Sequence, residues 1–141
     1  MASGSMPGIV EPSELAEILL SDDAKMKEST VIIDVRDDDF KGGNIKGAQN
    51  IASHVFSSMV NKIAEENKDK SLVVLHCMYS QQRGPRCARL LAKTMSTKFQ
   101  DSKCKICYLR GGFIGWYSAF KKHKKSDVLI ENLVKSEWED D

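Results

Sequence analysis

Apolar positions along the chain change period several times, and each change predicts an element. In "EPSELAEILL", Leu15, Ile18 and Leu19 recur at helical spacing behind Ser13, a side chain suited to capping a helix N-terminus. "TVIIDVR" is a short β-branched run ending in Asp34 and Arg36, which reads as a buried strand. "DDDFKGGNIKGAQNI" carries turn signals at Gly42, Gly43 and Gly47 and precedes a helix over about Val55 to Glu66. "SLVVLHC" is a second buried strand. From Gly84 to about Phe99, the residues Ala88, Leu91, Ala92, Met95 and Phe99 recur at threes and fours, which predicts a helix with one core face. "CKICYLR" reads as a third strand and "GGFIGWYSAF" as a turn into a short helix, with Phe113 and Trp116 facing the core.

Strands that are apolar throughout, separated by helical segments, predict an α/β fold: a parallel sheet covered on both faces. Such sheets bind ligands at the carboxyl ends of their strands, and Cys77 stands at one of those ends. The expected organisation is a flexible start or tag over residues 1–8, a single catalytic domain over 9–125, and a C-terminal tail over 126–141. The tail's apolar residues are expected to dock on the core in part, while its acidic end stays in water.

Composition narrows the function more than the fold. A net charge of +1 over 141 residues removes the electrostatic case for a nucleic-acid or membrane partner, and no apolar run is long enough to span a bilayer. "KKHKK" reads as a solvated face, and "MASGSMPGIV" lacks the basic start and apolar stretch of a secretory signal, so a cytoplasmic or nuclear location is expected. Four unevenly spaced cysteines in a chain of this size are expected to be reduced thiols.

One thiol has a distinctive setting. In "VVLHCMYSQQRGPRCARLL", Cys77 ends a buried strand, and Met78, Tyr79, Ser80, Gln81 and Gln82 separate it from Arg83. A loop running from a strand end to a helix N-terminus can turn successive N–H groups toward one centre, forming a nest for an oxyanion that the helix dipole reinforces. Arg83 adds a planar fork for two oxygens of a phosphate-like group, and Pro85 suits the first helical turn. A cysteine at a helix N-terminus beside a cation favours its thiolate, which makes Cys77 the candidate nucleophile.

Three segments, "VIIDVRDDDFKGGNIKGAQNI", "HCMYSQQRGPRCA" and "YLRGGFIGWYSAF", resemble the rhodanese-like superfamily. The branch is that of the cell-division-cycle dual-specificity phosphatases and the eukaryotic arsenate reductases. The resemblance implies a three-layer fold with a central five-stranded, mostly parallel sheet flanked by helices. It further implies Cys77 as nucleophile, Arg83 as the anion-binding arginine, residues 78–82 as the cradle, and His76 as a structural partner of the loop. Sulfurtransferases of the superfamily usually have a loop one residue shorter, so the seven-residue span from Cys77 to Arg83 points to phosphate or arsenate.

The expected function is therefore a cysteine-dependent phosphatase acting on a phosphorylated protein or a small oxyanion, through a phosphocysteine intermediate and without a cofactor. The alternative is an arsenate reductase that uses the same loop with glutathione and glutaredoxin as reductant. A sulfurtransferase or a non-catalytic phosphate-binding module is a lesser alternative. The cell-cycle phosphatases carry acidic residues where this chain has Met78 and Gln82, which leaves the leaving group without a loop carboxyl. Asp37, Asp38 and Asp39 are candidates for that acid, although a charge run after a strand reads first as solvated surface.

Asp34 and Arg36 are expected to pair and brace the strand end in support of the site. Cys104 and Cys107 form a C-x-x-C, but residues three apart on a strand face opposite sides and no second ligand pair exists, so no metal is expected. Cys87, one turn into the helix after the loop, is expected to be too constrained for a disulfide with Cys77.

Overall fold

The computed structural model describes residues 6–138. Its centre is a five-stranded sheet of β1 (Gly8–Val10), β2 (Thr30–Asp34), β4 (Gln49–Asn50), β5 (Leu72–His76) and β6 (Lys105–Leu109). The strand order is β1-β6-β5-β2-β4, and every neighbouring pair is parallel. The inner strands β5, β2 and β6 are the three apolar runs of the sequence. Both their faces are covered, so no polar alternation is needed.

Successive residues of each strand feed opposite faces. Val31, Ile33, Val73 and Leu75 meet one helical layer, formed by α3 (Ser53–Asn67) and α4 (Arg83–Lys98) through Phe56, Ile63, Ala88 and Leu91. Ile32, Val74 and Leu109 meet the other layer, formed by α1 (Pro12–Leu20) and α5 (Gly112–Phe120) through Leu15, Phe113 and Trp116. The three-layer expectation holds.

Local chemistry corrects several sequence expectations. Helix α1 is capped by Glu11, not Ser13: Pro12 occupies the first turn, and Glu11 and Glu14 form a reciprocal capping box. Helix α4 begins at Arg83, one residue before the Gly84 start expected from periodicity. Gly8 belongs to strand β1, paired with Cys107, and so is not part of a loose start; residues 1–5 lie outside the described residues.

The segment after residue 125 is built into the domain. A short helix, α6 (Ser126–Leu129), leads into β7 (Ile130–Glu131), which pairs antiparallel with β3 (Asn44–Ile45). Leu129 is fully buried and its carbonyl accepts the Trp116 indole N–H at 3.0 Å. Trp138 packs on the Phe113 ring at 5.3 Å and donates to the Gly42 carbonyl at 2.7 Å, closing the strap over the turn that follows β2. The acidic end, residues 139–141, lies outside the described residues.

Candidate active site

Parallel pairing puts the carboxyl ends of β2 and β5 side by side, with Asp34 opposite His76. Everything chemical in the chain gathers there. Cys77 follows β5 directly and is buried, and the chain turns through residues 78–82 before entering α4 at Arg83. Ser80 adopts a left-handed φ of 55°, which bends the loop back so that its N–H donates to Cys77 Sγ at 3.2 Å. The Gly84 N–H donates to the same sulfur at 3.3 Å from the first turn of α4. The thiol thus sits on the floor of the loop, held by N–H donors from the loop and the helix start.

The loop carbonyls are turned away by a second helix. Phe113 and Ile114, at the start of α5, donate their N–H groups to the carbonyls of Cys77 and Met78 at 2.9 and 3.0 Å. Among the described residues, the N–H groups of Met78, Tyr79, Gln81 and Gln82 meet no acceptor. Carbonyls engaged behind and N–H groups unengaged in front are what an oxyanion cradle requires. Tyr79, Gln81 and Gln82 are exposed at the rim, while Ser80 is buried beneath it.

This contact between loop and α5 leaves no room for a side chain at Gly112. Its φ is +62°, and a Cβ there would lie 2.5 Å from the Met78 oxygen and 2.6 Å from the Cys77 oxygen. Gly112→Ala is expected to destabilise the protein by about 2 kcal/mol or more, combining left-handed strain with displacement of the loop. Urea denaturation measures the first effect and weaker tungstate binding the second.

The layer behind the thiol is polar and fully buried. The Asp34 carboxylate accepts Arg36 Nε at 3.0 Å and Nη2 at 2.7 Å, and both side chains are sealed from water. Arg36 also donates to the carbonyls of Gly43 at 2.7 Å and Asp39 at 3.2 Å, and its guanidinium lies 4.4 Å from the Phe113 ring centre. One buried cation therefore ties the end of β2 to the following turn and to α5. His76 Nδ1 lies 3.0 Å from the Cys77 carbonyl, which needs a donor, so that nitrogen carries the proton. Burial pushes the His76 imidazole toward its neutral form despite the attraction of Asp34. Its Nε2, 3.7 Å from Asp34 Oδ2, is beyond hydrogen-bonding reach, and the ring acts as a strut for the loop.

The acidic run after β2 departs from its reading as solvated surface. Asp38 is exposed, but Asp37 and Asp39 turn inward around Arg83 in a 3-10 turn (Asp38–Phe40). Arg83 Nη1 and Nη2 donate to Asp39 Oδ1 and Oδ2 at 3.0 and 2.8 Å, and Nη1 also reaches Asp37 Oδ2 at 3.2 Å. The hydrogen bonds from Arg83 hold the Asp39 carboxyl below the usual carboxylate range. Burial works to raise the Asp37 carboxyl, but hydrogen bonds from His54, Ser53 and Arg83 outweigh it and hold that group down as well. No periodicity could have shown this contact, because Asp39 and Arg83 are 44 residues apart. The usable signal was topological: both segments leave the carboxyl ends of adjacent strands.

The remaining cysteines are inert by comparison with this setting. Burial pushes the Cys87 and Cys104 thiols up to about 11 and raises that of Cys107 too. Cys107 packs in the core on the α5 side of the sheet and Cys104 against the opposite core, so the C-x-x-C does not converge. Among the described residues, no group of three His, Cys, Asp or Glu side chains is placed to share a metal ion. A cavity of about 990 Å³, lined by Met95, Phe99, Cys104 and Lys105, lies at the far end of α4. It reaches up α4 as far as Ala92, nine residues or about 14 Å along the helix from Arg83. The thiol loop, by contrast, opens at the surface.

Comparison with known proteins adds independent information. Residues 12–119 match the family model described as Rhodanese-like domain. Over 97 residues, 67% of this chain, the sequence is 38% identical to the dual specificity phosphatase Cdc25 of Arabidopsis thaliana, covering 66% of that protein. Over 95 residues, 66% of this chain, it is 35% identical to arsenate reductase 2.1 of Oryza sativa subsp. japonica, covering 59% of that protein. The chain thus spans less than two thirds of either relative's length. A solved Saccharomyces cerevisiae protein, described as a homolog of single-domain rhodanese and Cdc25 phosphatase catalytic domain, superposes with a TM-score of 0.73. It is 26% identical, and the match covers 94% of this chain and 91% of that one.

Proposed function

Because the chain belongs to the rhodanese-like domain family, we propose that it is a cysteine-dependent phosphatase of the protein tyrosine or dual-specificity type. One observation carries the reading: Cys77 Sγ accepts the N–H groups of Ser80 and Gly84 beneath a loop whose other N–H groups meet no acceptor among the described residues, and Arg83 follows at the start of α4. The phosphoryl group of a phosphorylated protein, or a small phosphate ester, sits in the cradle of residues 78–82 with its oxygens on the loop amides and on Arg83. The sulfur attacks phosphorus, the P–S bond forms, and the ester P–O bond breaks with its electron pair leaving on oxygen, which takes up a proton. Water then attacks the phosphocysteine, the P–S bond breaks, and phosphate and the thiolate are regenerated. The chemistry calls for no metal or organic cofactor.

The same cradle supports a second reading. Arsenate has the shape and charge of phosphate, and the absence of carboxyl groups at Met78 and Gln82 matters less where no ester oxygen has to leave. Cys77 would form a thiol–arsenate adduct. Glutathione would attack its sulfur, releasing arsenite as the two thiols are oxidised to a mixed disulfide, which glutaredoxin reduces. The 35% identity to a rice arsenate reductase supports this route.

Both activities are to be measured on one preparation: 4-nitrophenyl phosphate hydrolysis, and arsenite formation with glutathione and glutaredoxin. The expected outcome is hydrolysis exceeding arsenite formation by at least about tenfold in kcat/KM, a difference of 1.4 kcal/mol. The reverse ratio assigns the chain to arsenate reduction, and transfer of sulfur from thiosulfate to cyanide with neither activity would reject both.

A further inference from the structure

An aryl or alkyl oxygen leaving phosphorus needs a proton, and the loop holds no acid: Met78 follows the cysteine and Gln82 precedes the arginine. Asp34 is sealed in its pair with Arg36; the other acids on this side come from the turn after β2 that reaches Arg83, and their partners sort them. Asp38 is exposed and accepts no hydrogen bond among the described residues. Asp37 is committed to architecture: it accepts Ser53 Oγ at 2.8 Å and the His54 N–H at 3.3 Å, pinning the start of α3, and lies 2.9 Å from the His54 ring.

Asp39 is different. Apart from the Asp37 N–H on Oδ1 at 3.0 Å, its carboxylate is held among the described residues by the two terminal nitrogens of Arg83. Its side chain keeps 36% of its surface open to solvent. Arg83 Nε donates to no partner among the described residues, so the Nε–Nη2 edge of the guanidinium is open to a tetrahedral anion. Nη2 belongs to both edges. An anion oxygen on its second hydrogen and Asp39 Oδ2 on its first would stand about 5 Å apart, from two hydrogen bonds near 2.8 Å diverging at a trigonal nitrogen. The ester oxygen of the same phosphoryl group is one P–O bond further round.

The geometry points to Asp39 as the proton donor to the leaving oxygen, sharing the Arg83 guanidinium with the bound phosphoryl group. The residue deepens the phosphatase reading and rests on it. A free enzyme holds Asp39 ionised, because Arg83 favours the carboxylate. A bound dianion draws on the same guanidinium and repels the carboxylate, so Asp39 takes up its proton as substrate arrives. The charged groups around it are Arg83 from α4, Asp37 beside it, and His54 of α3 behind Asp37. Asp39 gives that proton to the ester oxygen as the P–O bond breaks and the S–P bond forms. It recovers a proton from the water that attacks phosphocysteine as the P–S bond breaks.

The test compares wild type with Asp39→Asn on phenyl, 4-nitrophenyl and 2,4-dinitrophenyl phosphate, with tungstate affinity measured by calorimetry on both proteins. The variant is expected to lose about 10²–10⁴-fold in kcat/KM on the phenyl ester, and at least tenfold less than that on the dinitrophenyl ester, whose leaving group needs no proton. Tungstate is expected to bind it as tightly or more tightly, since a repelling carboxylate is gone. An equal loss on all three esters, or weaker tungstate binding, would show that Asp39 only positions Arg83 and would overturn the assignment. If wild type hydrolysed none of the esters, the phosphatase reading itself would fall and the proton donor with it; an active wild type with an unchanged leaving-group dependence in the variant sinks Asp39 alone.

Discussion

Cys77→Ser is expected to reduce aryl phosphate hydrolysis by at least about 10³-fold while the protein stays folded and still binds oxyanions. The substitution exchanges one atom. Serine Oγ can accept the same two N–H bonds that reach Cys77 Sγ from Ser80 and Gly84, so the loop retains its shape. What changes is the nucleophile: a serine hydroxyl attacks phosphorus far more weakly than sulfur does unless a base activates it, and among the described residues the only hydrogen-bond partners of the sulfur are two backbone N–H groups. His76, the adjacent imidazole, is fully buried and its Nδ1 proton is engaged by the Cys77 carbonyl. Initial rates with 4-nitrophenyl phosphate, tungstate calorimetry and circular dichroism on the same sample read the three consequences. A serine variant within tenfold of wild-type rate would show that sulfur is not the attacking atom.

The second large effect falls on stability. Asp34→Ala leaves the Arg36 guanidinium fully buried, with two backbone carbonyls and an aromatic face but no counter-charge. Breaking a buried pair from one side costs about 3–5 kcal/mol, a large share of the roughly 5–15 kcal/mol that holds a domain of this size together. Urea denaturation should therefore show a variant that is unfolded or close to it at 37 °C. Removing both charges, as in Asp34→Ala with Arg36→Met, should recover much of that loss, because a buried pair returns little net stability over apolar side chains of similar volume. The double variant should still lose activity. Arg36 holds the carbonyls of Asp39 and Gly43, and with them the turn that presents Asp37 and Asp39 to Arg83. If the double variant were no more stable than Asp34→Ala, the stranded charge would not be the cause of the damage.

The parts of the fold visible in the sequence are those where burial leaves a compositional mark. Strands β2, β5 and β6 are covered on both faces, so they appear as unbroken apolar runs, and α4 shows its one core face as a three-and-four repeat. The edge strands left no such mark. Strand β1 is three residues long and β4 is two exposed polar residues, Gln49 and Asn50, placed beside β2 by backbone pairing and by the Asn50 amide, which donates to the carbonyls of Asp34 and Arg36. The β3–β7 pair was equally hidden, since its partners stand 85 and 87 residues apart and Ile130 reads simply as part of a tail until Ile45 is found opposite it. The N-terminus of α1 was misread because Ser13 is a good cap in isolation, whereas Pro12 starts the helix two positions earlier than that cap implies and gives the cap to Glu11.

The site divides along the same line. A cysteine, five residues and an arginine, set between an apolar strand and a Gly-Pro helix start, are local in sequence, and local backbone geometry turns them into a cradle. By itself the sequence determined that a thiol and an arginine bracket a five-residue loop between a strand end and a helix start. Tertiary structure alone decided what surrounds them: α5 capping the loop carbonyls through Phe113 and Ile114, Gly112 allowing that approach, and Asp39 sharing the Arg83 fork. These contacts join residues 34 to 44 positions apart, and they exist because a parallel sheet sets the carboxyl ends of its strands side by side. Periodicity and composition report on what a residue is buried against along its own element, and the pairing of strand ends lies beyond their reach.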